Sequence, residues 1–96
     1  MRFLDTSVLV AAFLTEHPHH AASRNTLRQC QPETAACAGH GLAEFYATLT
    51  RLPVPHRASP EQVLLFLDNI EQHLAVVSLT AGEYRDALQS AAACAG

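Results

Sequence analysis

Two of the nine acidic residues fall where a carboxylate could do chemistry. Asp5 lies in FLDTSVLVAAFL (Phe3 to Leu14), between a short apolar lead and a longer apolar run, with the hydroxyls of Thr6 and Ser7 beside it. Glu44 lies in GHGLAEFYATLTRLP (Gly39 to Pro53), off the apolar stripe of Leu42, Phe45, Tyr46, Leu49 and Leu52 and on the side of Ala47, Thr48 and Arg51. A hard divalent cation takes ionised oxygen ligands, and a helix N-terminus keeps a nearby carboxylate ionised. The expected helix starts put both residues at such ends, with Glu44 in a first turn. The same placement suits two plainer roles: Asp5 sharing a helix cap with Thr6, and Glu44 complementing a dipole from solvent. Spacing alone leaves both possibilities open.

Other reactive side chains form weaker patterns. His17, His19 and His20 cluster, but no cysteine or carboxylate pattern completes a transition-metal site, so they read as a solvated helix entrance. Cys30, Cys37 and Cys94 are odd in number and lack C-x-x-C spacing. They indicate reduced thiols, with Cys37 in the core, rather than a disulfide framework or a zinc knuckle. The net charge of -3 argues against a generic basic nucleic-acid binder. All six cations are arginine, however, the better bidentate phosphate ligand, and Arg51 is placed to contact a phosphate or to pair with Glu44.

The elements that must position these residues alternate. A strand over Arg2 to Leu4 leads into a helix over Ser7 to Leu14, capped by Thr6 or Ser7, so Asp5 falls at the carboxyl end of the strand. A second helix is expected from His20 to Gln31, and a buried strand of small residues from Thr34 to Ala38. Gly39-His40-Gly41 reads as a break before a helix that ends at Pro53. LPVPHRASP is a loop. Ser59-Pro60-Glu61-Gln62 is a capping box opening a helix that buries Val63, Phe66, Leu67 and Ile70. LAVVSL, from Leu74, reads as a strand, and Thr80 with Glu83 caps a last helix to Ala95.

Alternation of this kind predicts a parallel sheet covered by helices on both faces, an α/β fold whose ligands bind at the carboxyl ends of the strands. At 96 residues the chain is one domain, 1–96. No apolar run approaches the roughly 20 residues that span a bilayer, and no basic, cleavable leader begins the chain, so a soluble cytoplasmic protein is expected.

With those pieces in place, the chain resembles the PIN-domain ribonucleases, in particular the VapC-type toxins of toxin-antitoxin pairs. The resemblance rests on FLDTSVLVAAFL, EHPHHAAS, GHGLAEFYATLTRLP and VVSLTAGEYRDALQSAAACAG, spread over the chain in the family's order. It implies a three-layer α/β/α fold with a central parallel sheet, and Asp5 and Glu44 as the first two acidic metal ligands and catalytic residues, with Thr6 and Ser7 in support. It also implies Mg2+ or Mn2+, an RNA substrate and a cognate antitoxin; the phosphate that Arg51 could contact would then be that of RNA. Hydrolysis of a phosphodiester needs an activated water and stabilisation of charge on the phosphate, which a carboxylate-held cation supplies. The family brings three or four acids together. This sequence reaches Gly96 where the turn before the third acid would begin, so a truncated domain without its last strand and helix is expected, with homo-oligomerisation to cover the exposed edge. Asp86, within YRDAL, falls on a helical wheel opposite Tyr84, Leu88 and Ala91 and reads as a solvated residue rather than the third ligand. Two functions follow as expectations: a metal-dependent endoribonuclease toxin, or a binding module of the same fold with an incomplete acid set. A fragment without activity is the plainest alternative.

Overall fold

The computed structural model describes residues 2–78 together with Thr80, Ala81, Gly82, Arg85 and Gln89. Three short strands, β1 (Arg2–Phe3), β2 (Ala35–Ala38) and β3 (Ala75–Val77), form one parallel sheet in the order β1-β2-β3. Parallel neighbours need long crossovers, and helices supply them. Helices α1 (Thr6–Phe13) and α2 (His20–Gln29) join β1 to β2, and α3 (Gly39–Thr50) and α4 (Pro60–His73) join β2 to β3. Arg2 lies opposite Ala35 and Phe3 opposite Ala36, while Ala36, Cys37 and Ala38 lie opposite Ala75, Val76 and Val77. This is the α/β arrangement that the alternation predicts.

All four residues of β2 are buried. Side chains alternate across a strand, so burial of Ala35 and Cys37 on one face and of Ala36 and Ala38 on the other means that both faces of β2 are covered. Ala35 and Cys37 join the main core with Leu9, Phe45, Leu49, Val63 and Ile70. Packed against that core, Phe13 stands edge-on to both the buried Phe45 and the half-buried Phe66, with ring centroids 6.1 and 5.3 Å away, the attractive orientation for aromatic quadrupoles. The Arg24 guanidinium lies 5.9 Å from the Phe66 ring and covers its outer side.

The helix limits show which local signals prevail. At α4 the Ser59 hydroxyl accepts from the Gln62 backbone N–H, Gln62 Oε1 accepts from the Ser59 N–H, and Pro60 occupies the first turn. The capping box forms as the sequence predicts. Helix α2 ends at Gln29, two residues early, because Gln31 uses its carbonyl to accept from Thr34 and Ala35 N–H and so turns the chain into β2. The reading of Gly39-His40-Gly41 as a break is corrected: these residues form the first turn of α3, and neither Gly39 nor Gly41 has a positive φ. Glu44 therefore sits in the second turn rather than the first. The helix expected over Thr80 to Ala95 lies mostly outside the described residues, as does Cys94.

Two consequences of this packing can be measured. Ser59→Ala removes one half of the box and is expected to cost about 1 kcal/mol, or roughly 4–8 °C in melting temperature for a chain of this size. An unchanged thermal midpoint would show that the cap contributes nothing. Burial pushes the Cys37 thiol up to about 11, with the Glu71 carboxylate adding in the same direction. The unfolded thiol ionises near 9.0, so between about 9 and 11 the unfolded chain binds fewer protons than the folded one. Stability must fall as pH rises through that window. Denaturant melts at stepped pH read this directly, and Cys37→Ala is expected to flatten the decline.

Candidate functional site

Chain direction brings the two acidic positions to one end of the sheet. β1 and β2 are adjacent and parallel, so α1 and α3 leave from the same edge, the carboxyl end of the strands. Asp5 is the residue between β1 and α1. It has an extended N-cap conformation, its carbonyl accepts from the N–H of Val8 at 3.1 Å, and its side chain makes no cap bond to the helix. The carboxylate is exposed and accepts instead from the Ser7 hydroxyl, Oγ to Oδ2, at 2.9 Å. The plainer role of Asp5 as a side-chain cap is thus not the one it plays. Ser7 steadies one carboxylate oxygen and leaves the other to act as an acceptor.

The starts of α1 and α3 touch. Thr6 Oγ1 lies 3.5 Å from the Gly41 carbonyl oxygen, and a Cβ on Gly41 would come within 3.0 Å of that hydroxyl. Only a residue without a side chain lets the two helices start so close without displacing Thr6. This contact is the reason a glycine is needed inside the first turn of α3.

Glu44 projects from α3 one turn beyond Gly41. Its Oε1 lies 3.1 Å from His40 Nε2, an i,i+4 pair with both side chains more than half exposed (59% and 60%). Sequence patterning does not single out His40, because Gly39-His40-Gly41 reads as a break. Once those residues are placed in the helix, the i,i+4 spacing to Glu44 is the signal that finds it. An exposed pair of this kind orients side chains more than it stabilises the fold.

The remaining predicted residues lie elsewhere. Arg51 is the C-cap of α3, seven residues or about 10 Å along the axis from Glu44, so its backbone is at the opposite end of the helix from Thr6. Asp86 lies outside the described residues. His20 Nδ1 donates to the Ala11 carbonyl at 2.9 Å and ties α2 to α1, while His17 Nδ1 accepts from the His19 N–H at 3.0 Å. These bonds give the histidine cluster a local structural role.

As a donor set, two solvent-facing carboxylates suit Mg2+ or Mn2+, which keep several waters and take one or two carboxylates from protein. Among the described residues no group of three or more His, Cys, Asp or Glu could hold a metal ion. Carboxylates this exposed suit an open, hydrated cation rather than a closed protein cage. No helix among the described residues is long and apolar enough to cross a membrane.

Known proteins share sequence with this chain. The chain is 36% identical over 100 aligned positions to Ribonuclease VapC40 of Mycobacterium tuberculosis, covering 88% of this chain and 72% of that protein. It is 33% identical over 105 positions to Ribonuclease VapC27 of the same organism, covering 94% of this chain and 74% of that one. No solved structure matches it. The family model described as PIN domain matches residues 2–94, nearly the whole sequence, and this chain belongs to the PIN-domain family.

Proposed function

We propose that the chain is a metal-dependent endoribonuclease of the VapC type, one PIN domain over residues 1–96, acting on RNA in the cytoplasm and held in check by a cognate antitoxin. The observation that carries the reading is the similarity to two ribonucleases over 88% and 94% of the chain. The shared start of α1 and α3 at Thr6 and Gly41 supports it, because it sets Asp5 and Glu44 on the same edge of the sheet. Homo-oligomerisation belongs to the same proposal.

In this reading Asp5 and Glu44 hold Mg2+ or Mn2+. When bound, the cation would neutralise charge at the phosphate and lower the pKa of a water so that its deprotonated form is the nucleophile. The protein's own residues prepare that end of the sheet. Ser7 donates to Asp5 Oδ2, fixing the carboxylate's rotation and leaving Oδ1 as an oxygen ligand. Thr6 and Gly41 fix the spacing of the two helices. The N-terminal dipole ends of α1 and α3 both favour negative charge at this edge, which suits a phosphate as well as a carboxylate.

The second reading is a PIN-fold module that occupies RNA or antitoxin without cutting, its acid set short of the three or four that the family resemblance implies.

The two readings part in a cleavage assay on labelled RNA with Mg2+ or Mn2+. Asp5→Asn is expected to lower the rate by roughly a hundredfold or more, as EDTA does, while leaving the melting temperature within a few degrees, because the Asp5 side chain makes no cap bond. Undiminished cleavage by a folded Asp5→Asn protein would sink the assignment. Absence of cleavage by the wild-type chain, with RNA still bound, would establish the binding module. For Glu44→Gln the expected change is a shift of about tenfold or more in the Mn2+ concentration giving half-maximal rate. A rate that falls with no change in that concentration would remove Glu44 from the ligand set.

A further inference from the structure

At the other end of α1 and α3 lies a cleft of about 580 Å³ between the α1–α2 turn and the α3–α4 loop. That volume is within the range of small-molecule and base-sized sites. Phe13, Leu14, Leu52, Pro53 and Pro55 give it an apolar lining, and His56 and Arg57 stand at its wall. The α3–α4 loop holds its own shape: the N–H of His56 donates to the Pro53 carbonyl, the Arg57 Nε to the Leu52 carbonyl at 2.9 Å, and the N–H of Ala58 to the Leu49 carbonyl. A surface ordered in this way loses little entropy when it binds.

The charge of this loop is unlike that of the chain. The protein carries nine acids and six arginines, yet residues 51–58 hold two of those arginines, Arg51 and Arg57, and no acid. Among the described residues one acid lines the cleft, Glu16, and it is engaged by His56, Oε2 to Nδ1 at 3.2 Å. The two arginines of the loop outnumber this one carboxylate. Arg57 uses Nε on the loop and keeps both terminal nitrogens as donors, a fork suited to phosphate. The N-terminus of α4 borders the same cleft through Gln62 and adds its positive dipole end.

We infer that this cleft is a binding site for single-stranded RNA, remote from the Asp5 and Glu44 edge, with a phosphate on Arg57 and one unstacked base inserted against the apolar lining and the His56 ring. Single-stranded nucleic acid is held by this combination of backbone cations and a ring or apolar platform for a base. An acidic peptide would use the arginines but not the base-sized lining. The inference rests on RNA being the substrate, and it gives that substrate a second point of attachment. The eight residues of α1, about 12 Å at 1.5 Å per residue, separate the two ends, a span that a strand of a few nucleotides covers.

Equilibrium binding of a labelled single-stranded RNA, read by fluorescence anisotropy in EDTA over a salt series, tests this without any cleavage. Arg57→Gln is expected to weaken binding about tenfold at low salt and to lower the slope of log affinity against log salt by about 0.7, one phosphate contact on a single strand. Arg57→Lys keeps the charge but cannot make the Nε bond to Leu52, so it is expected to restore the slope. A purely structural role for Arg57 would leave both variants equally impaired. His56→Ala is expected to weaken binding of the RNA but not of an abasic strand of equal length.

If wild-type protein binds RNA and Arg57→Gln leaves both affinity and slope unchanged, the site is overturned. It is overturned equally if the variants lose a protein partner while RNA binding is intact. RNA binding that depends on Arg57 in a chain that cleaves nothing would uphold this site and refute the nuclease reading. No RNA binding at all would end both.

Discussion

Burial of β2 on both faces is the constraint on which the other elements depend. A strand paired on each side and covered above and below must be apolar along its whole length, and Ala35, Ala36, Cys37 and Ala38 meet that demand with unusually small side chains. Small residues bring the helices close to the sheet, so the large contacts are made between helices, at Phe13, Phe45 and Phe66, rather than between helix and strand. The same burial explains why Cys37 remains a thiol with a raised pKa: an anion at that depth has no solvent to stabilise it.

A covered parallel strand also fixes direction. With β1 and β2 side by side and running the same way, their carboxyl ends coincide, and the helices that follow must begin within reach of each other. The approach is closest at Thr6 and Gly41. Exposed polar groups gather at that edge because backbone turning out of a sheet cannot be buried without partners. Asp5 and Glu44 are there for topological reasons first, and any chemistry they perform uses a position that the fold had to provide.

Much of this is legible in the residues. The alternation of apolar runs with capped helical segments points to the parallel sheet, and Ser59-Pro60-Glu61-Gln62 marks the start of α4 because its chemistry is local: donor and acceptor are three residues apart. Gly39-His40-Gly41 misleads for the opposite reason. Each glycine lowers helix propensity by about 1 kcal/mol relative to alanine, so the segment reads as a break, but the approach of Thr6 from 35 residues away makes the missing Cβ at Gly41 an advantage. Tertiary contact overrides propensity, moving Glu44 back one turn and hiding its pairing with His40. The cleft at the far end has no signature in the sequence. Its walls come from Phe13 to His17 and from Leu52 to Gln62, and no periodicity joins segments that meet only in the fold.

On the proposed function, the two ends of the molecule would meet different halves of one electrostatic problem. RNA is a polyanion and this chain is net acidic, so contact at Asp5 and Glu44 without a cation would set carboxylates against phosphates. A cation held there neutralises the clash locally but is weakly held by so open a pair, since Mg2+ gives up its water reluctantly. Permanent positive charge must then come from elsewhere, and arginine supplies it without depending on pH or metal supply. Placing it on a self-fastened loop a helix length from the carboxylates keeps the guanidinium groups away from the acids to which the proposed function assigns a cation. Glu44 already has His40 against Oε1, and an arginine beside it would engage the remaining oxygen as well. On the proposed function, separation of attachment from chemistry is what would let an acidic protein of this size address a phosphate backbone.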